Sequence, residues 1–114
     1  VERMKEVYDC RPEDILAAIG PGIGPCCFET HEDVPNAMMA AVSSAALPYI
    51  KVLESGKFSL DLKGINAQLM IRAGVSPDHI AVCGECTACM GEKYWSHRRM
   101  GDNRGSMAAA IQLL

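Results

Sequence analysis

Aromatic side chains are scarce: one tryptophan, three tyrosines and two phenylalanines make up 5% of the 114 residues. That leaves no platform on which the bases of single-stranded nucleic acid would stack. An excess of one charge is missing too. The net charge of −3 gives no general attraction to nucleic acid or to an anionic membrane. No apolar run approaches the roughly 20 residues of a membrane span, and the start lacks the basic, apolar and small-residue pattern of a signal peptide. Cysteine is present but sparse for a disulfide scaffold, at six of 114 residues, or about 5%, against roughly 8–10% in such scaffolds. Reduced thiols in a cytoplasmic protein are expected.

What remains is an ordinary globular composition, 49% hydrophobic and 22% charged, long enough for one domain or part of one. Val1, Met4, Val7 and Tyr8 recur at helical spacing. Cys10 to Asp14 is a break, and Ile15–Ile19 is an apolar run of strand length that should be buried on both faces. Val34, Met38, Val42, Ala45, Tyr49 and Leu53 recur at three- and four-residue steps, with Asp33 as cap. Pro48 divides that pattern into two expected helices, 34–46 and 48–54. Phe58–Leu60 reads as extended. Asp61 caps a helix bearing Leu62, Ile65, Leu69 and Ala73, and Gly74 stands where a C′ glycine belongs. Asn66, Gln68 and Arg72 read as its solvated side. Ile80–Val82 reads as a second buried strand and Gly105–Leu114 as a closing strand.

Arg11-Pro12-Glu13-Asp14-Ile15 is echoed by Ser76-Pro77-Asp78-His79-Ile80, each following a helix and leading into an apolar strand. Two helix–turn–strand units of this kind predict α/β layering, with a parallel or mixed sheet and helices outside.

Two loops carry the chemistry. Gly20-Pro21-Gly22-Ile23-Gly24-Pro25 cannot form regular structure. It reads first as a tight turn and second as an anion-binding loop, although it lacks the lysine and serine or threonine of a P-loop. Cys26 and Cys27 follow it. Adjacent cysteines are poor co-ligands for one metal, so both read as small buried hydrophobes.

The second loop, Cys83–Gly105, holds half the cysteines, the only tryptophan and three arginines within seven positions. Cys83, Cys86 and Cys89, with His97, have the residue types and spacing of a Cys₃His metal module. A redox pair among them is the other thiol reading. Arg98, Arg99 and Arg104 put fork-shaped donors in a small volume suited to phosphate or carboxylate. The plainer alternative is pairing with Asp102 or Glu92, which is worth little on a surface. No Ser/His/Asp set or paired carboxylate is assignable, so no catalytic residue is named.

Three stretches also resemble a known family. Gly20 to Glu29 resembles the G-P-x-I-G-P-C-C-[FY]-E segment of the YfiH-type laccase-domain family. Leu60-Asp61-Leu62 resembles its L-D-L. Cys86-Thr87, Tyr94 to Arg99 and Gly105 to Ala108 resemble its C-T…[FY]-[FY]-S-[YH]-R-R…G-R-M-A ending, with Ser106 where the family often has arginine. The resemblance implies a mixed α/β sandwich related to the cysteine-hydrolase domain of cytotoxic necrotising factor. It also implies a zinc-dependent purine nucleoside phosphorylase that deaminates adenosine and cleaves methylthioadenosine. An older description of the family as a multicopper polyphenol oxidase implies copper.

The family's metal ligands lie in Q-V-H-G, A-D-C and H-A-G-W-R-G motifs, none of which occurs here. The resemblance therefore covers the C-terminal half of one domain, residues 1–114, with the zinc ligands expected before Val1. His31, His79, His97 and the six cysteines inherit no ligand role from it. It implies a purine nucleoside and phosphate as partners, with phosphate held by Arg98, Arg99 or Arg104. An incomplete sandwich also implies uncovered apolar sheet and self-association.

Overall fold

Two prolines set up the strands at the centre of the fold. Pro12 and Pro77 each open a short 3₁₀ turn, Pro12–Asp14 and Pro77–His79, after which the chain leaves extended at Ile15 and Ile80. A fixed proline φ suits the first turn of a helix, where the missing N–H is not needed. The strands that follow, β1 (Ala17–Ile19) and β5 (Ile80–Val82), pair in parallel with Ala17 opposite Ile80 and Ile19 opposite Val82. The sequence echo is thus a spatial pair. The structure is a computed structural model and describes every residue from Val1 to Leu114.

A second sheet is antiparallel, in the order β2-β4-β3. Its strands are β2 (Glu29–Thr30), β3 (Ile50–Val52) and β4 (Phe58–Leu60), with Ile50 opposite Leu60 and Val52 opposite Phe58. Gly56, at φ 79°, takes the left-handed conformation that turns β3 back into β4. Parallel and antiparallel sheets with helices make this a mixed α/β fold, as expected.

Three helices accompany the sheets before the second loop: α1 (Glu2–Tyr8), α2 (Asp33–Val42) and α3 (Leu62–Arg72). The Asp61 carboxylate accepts a hydrogen bond from the Gly64 amide at 3.1 Å and caps α3. Gly74, at φ 100°, follows the end of α3 in the left-handed region, as its C′ position requires. Gly64 has a packing reason. A Cβ there would run into the Tyr49 ring and come within 2.8 Å of the Asp61 carboxylate. That bare patch lets α3 lie against the 3₁₀ turn Leu47–Tyr49.

Several expectations are corrected. The helix expected over 34–46 ends at Val42, where Ser43 takes φ 52°. The helix expected over 48–54 is absent: Pro48 is the second residue of the 3₁₀ turn Leu47–Tyr49, and β-branched Ile50 and Val52 pair with β4 instead. Asp33 is the first residue of α2 rather than a side-chain cap. The strands β1 and β5 are not buried on both faces. Packing with α3 leaves Ala18, Ala81 and Val82 exposed, and only Ile15, at the entry to β1, is buried. Gly105–Leu114 pairs with no strand, and beyond half-buried Gly105 it is exposed.

The core is small. Leu60, Ile65 and Val75 are its fully buried large side chains, joined by Ala45 and Ala46. The radius of gyration is 15.8 Å, above the about 13 Å of a compact chain of this size.

Candidate functional site

The β1–β5 ladder does not stop at its strands. The Cys83 amide donates to the Ile19 carbonyl at 2.8 Å, and the Thr87 amide to the Gly22 carbonyl at 3.1 Å. An isolated parallel bridge joins Gly22 to Cys86. The Gly20–Phe28 and Cys83–Tyr94 loops therefore run side by side beyond the sheet. Lys63, buried on α3, anchors the second loop by donating to the carbonyls of Cys83 at 2.7 Å and Glu85 at 2.9 Å.

Glu85 is fixed in its turn. Lys93 Nζ lies 2.8 and 2.9 Å from its carboxylate oxygens, and the Tyr94 hydroxyl donates to it as well. Lys93 first, and Tyr94 second, hold the carboxyl below the ordinary glutamate range.

A cleft of about 510 Å³ opens where the loops meet. Ile23 and Phe28 form one wall, Thr87, Trp95 and Ser96 another, and Arg98 and Arg104 reach its rim. Thr87 and Ser96 are buried hydroxyls. Ser96 starts the short helix α4 (His97–Met100), which carries His97, Arg98 and Arg99. Arg98 donates through one nitrogen to the carbonyls of Glu29 at 2.9 Å and Cys27 at 3.4 Å, while its guanidinium lies 5.3 Å from the Phe28 ring centroid. Arg104 donates only to the Gly105 carbonyl, at 3.2 Å. Neither pairs with an acid, so the plain alternative of surface ion pairs with Asp102 or Glu92 does not describe them.

Arg99 is placed apart from the other two. It borders a separate hollow beside Cys89 and Glu92, crosses Gly91, and donates to the Ala88 carbonyl at 3.1 Å.

The thiols assemble differently from the predicted set. Cys26, Cys27, Cys86 and Cys89 bring their sulfurs within 4.8 Å of one another, close enough to hold a metal ion. Neither Cys83 nor His97 belongs to that group; His97 borders the arginine cleft instead. The reason is register. Pairing Gly22 with Cys86 sets the Cys26-Cys27 turn over the Cys86-x-x-Cys89 turn, 62 and 63 residues away in sequence. Cys26 is exposed and Cys27 half-buried, so the adjacent pair is not the buried filler it was expected to be.

Residues 1–114 match the family described as multi-copper polyphenol oxidoreductase laccase. The chain belongs to this laccase-domain family. It is 38% identical over 101 residues to purine nucleoside phosphorylase YlmD of Geobacillus stearothermophilus, covering 88% of this chain and 36% of that protein. It is 32% identical over 97 residues to adenosine deaminase RL5 from an unknown prokaryotic organism, covering 85% and 37%. In structure, the laccase-domain chain superposes on a YfiH protein of Bacillus licheniformis with a TM-score of 0.77 and 32% identity, over 85% of this chain and 37% of that one. It thus spans just over a third of the length of these relatives. No helix of the laccase-domain chain is long and apolar enough to cross a membrane.

Proposed function

We propose that this laccase-domain chain forms the anion-binding wall of a purine nucleoside phosphorylase-type enzyme, as the C-terminal part of one layered α/β sandwich domain. Two cleft arginines without carboxylate partners, beside buried Thr87 and Ser96, carry the reading. It is supported by relatives named as purine nucleoside phosphorylase and adenosine deaminase. Adenosine, inosine and methylthioadenosine are the proposed nucleosides, and the cytoplasm, where the six free thiols stay reduced, is the proposed compartment.

In phosphorolysis a phosphate oxygen bonds to the anomeric carbon of the ribose as the carbon–nitrogen bond to the base breaks. A dianionic nucleophile must be held and aimed during that exchange. Arg98 is suited to this because Phe28 and two carbonyls fix its plane, leaving other N–H groups for the cleft. Arg104 supplies the second donor set. Arg99 holds the Ala88 turn and supports the wall from behind.

The zinc that the resemblance implies, held by two imidazoles and one thiolate with a position open, is not matched by residues here. The metal-capable group contains four thiols and none of His31, His79 or His97. Four ligands would close a tetrahedral ion to water, so no catalytic step is assigned to it.

In the natural protein that carries this chain, Arg98→Ala is expected to raise the KM for phosphate about 10- to 100-fold. This corresponds to about 1.5–3 kcal/mol for hydrogen bonds to a charged group. The KM for nucleoside should move much less, and Arg104→Ala should act in the same direction. Unchanged phosphate dependence in both variants would remove the assignment.

The chain alone is further proposed to self-associate, because Leu16, Val52 and Val82 are exposed beside short sheets with open edges. Light scattering should show a mass above 12.3 kDa that rises with concentration. A monomer throughout would refute this.

A further inference from the structure

Four sulfurs meet at the junction of the two loops, all within 4.8 Å of one another. Cys26 Sγ lies 3.6 Å and Cys27 Sγ 3.4 Å from Cys89 Sγ. A tetrahedral zinc with Zn–S bonds of about 2.3 Å separates its sulfurs by about 3.8 Å. Small side-chain rotations therefore convert the group into a coordination shell.

The backbone is already arranged for it. Adjacent cysteines ordinarily point apart, but here the amides of Cys27 and Phe28 both donate to the Gly24 carbonyl, at 3.0 and 2.9 Å, closing a tight turn that brings both thiols to Cys89. Gly24 comes so close that a Cβ there would sit 3.3 Å from both Cys86 Cβ and Cys26 Sγ. Its amide donates to Cys86 Sγ at 3.2 Å.

The amides of Cys89 and Ala88 join that of Gly24 in pointing at the Cys86 sulfur. A Cys-x-x-Cys turn with backbone N–H groups aimed at its first sulfur is how a protein holds one edge of a metal tetrahedron. Cys26 and Cys89 are exposed, so filling a core does not explain them.

Charge agrees with this arrangement. Zinc with four thiolates carries two net negative charges. Arg98 is tied to the Cys27 carbonyl, and Arg99 to the Ala88 carbonyl, so each guanidinium backs one of the two thiol turns.

We infer that Cys26, Cys27, Cys86 and Cys89 form a closed, structural zinc site that clamps the Gly20–Phe28 loop to the Cys83–Tyr94 loop. All four positions are filled by protein, so the ion binds no substrate. Its action is mechanical: Ile23 and Phe28 on one loop and Thr87 on the other are cleft walls, and the ion fixes their spacing. The site does not depend on the phosphorylase reading, because nothing in it contacts a nucleoside or phosphate.

The test uses the reduced chain, with Zn²⁺ and Co²⁺ as probes and no nucleoside present. Elemental analysis should find one zinc per chain after excess metal is removed. The cobalt form should show thiolate-to-metal charge transfer and the intense visible bands of a tetrahedral ion. Cys89→Ser should weaken metal binding by more than the about 100-fold typical of losing an outer-shell partner, while a Cys10→Ser/Cys83→Ser double variant should bind normally. If Cys89→Ser does not fold, the cobalt spectrum of the parent and the double variant still decides. The inference is overturned if the reduced chain takes up no zinc, if it takes up iron in preference, or if Cys83 or His97 proves to be required. A disulfide from Cys89 to Cys26 or Cys27 in protein isolated without oxidant would also overturn it.

Discussion

Leu60→Ala is expected to destabilise the chain by about 2–5 kcal/mol, toward the upper end of that range. Leu60 is fully buried at the end of β4, opposite Ile50 and at the start of the α3 cap. Only Ile65 and Val75 are, like it, large side chains that are fully buried. With so few large residues inside, little neighbouring mass is available to collapse into the cavity, and incomplete collapse is what raises the cost of such truncations. Native domains are stable by only about 5–15 kcal/mol, so one truncation removes a large share. Urea or thermal unfolding should show the loss, with Val52→Ala, at 65% exposure, changing stability by no more than about 0.5 kcal/mol. A cost below about 1 kcal/mol for Leu60→Ala would place the core elsewhere.

The parts of this fold that were readable in sequence are those set by near neighbours. Asp61 caps α3 by reaching an amide three residues on, and Gly74 takes a conformation that few other residues accept. Pro12 and Pro77 impose the same turn twice because each acts on its own backbone. The helix expected over 48–54 failed for the opposite reason. Its apolar spacing was real, but pairing of Ile50 and Val52 with β4 outweighed a weak local preference. Gly105–Leu114 had the length and alanine content of an element, yet no strand edge lies where it runs.

The site divides along the same line. Clustering of Arg98 and Arg104 was visible because they lie close in sequence, and both reach the cleft. The thiol group was not visible. Cys83-x-x-Cys86-x-x-Cys89 looked self-contained, whereas the partners of Cys86 and Cys89 come from more than 60 residues away, through a parallel register that no local pattern encodes. A signal existed nonetheless. The two proline-led units predicted neighbouring strands, and extending both beyond Ile19 and Val82 by equal lengths would have set Cys26 level with Cys89.

Lys63→Met tests whether the frame and the thiol group act as one. Lys63 sits on the first turn of α3, and its chain lies under Gly22, where a Cβ would meet it at 3.9 Å. Its ammonium satisfies the carbonyls of Cys83 and Glu85, the residues on either side of Gly84 and just ahead of Cys86. Methionine keeps most of the volume and removes the donor, so packing is nearly conserved while two carbonyls lose their partner. An unpaired buried polar group costs about 1–3 kcal/mol, so a loss of about 2–4 kcal/mol is expected in urea unfolding. Because the same loop presents Cys86, the variant should also bind cobalt about 10- to 100-fold more weakly, as outer-shell losses do. Its spectrum should remain tetrahedral, since no ligand is touched. Reduced stability with unchanged cobalt affinity would mean that the ammonium supports α3 alone. Both effects together would show that one buried lysine couples the helix to the turn in which Cys86 approaches Cys26 and Cys27.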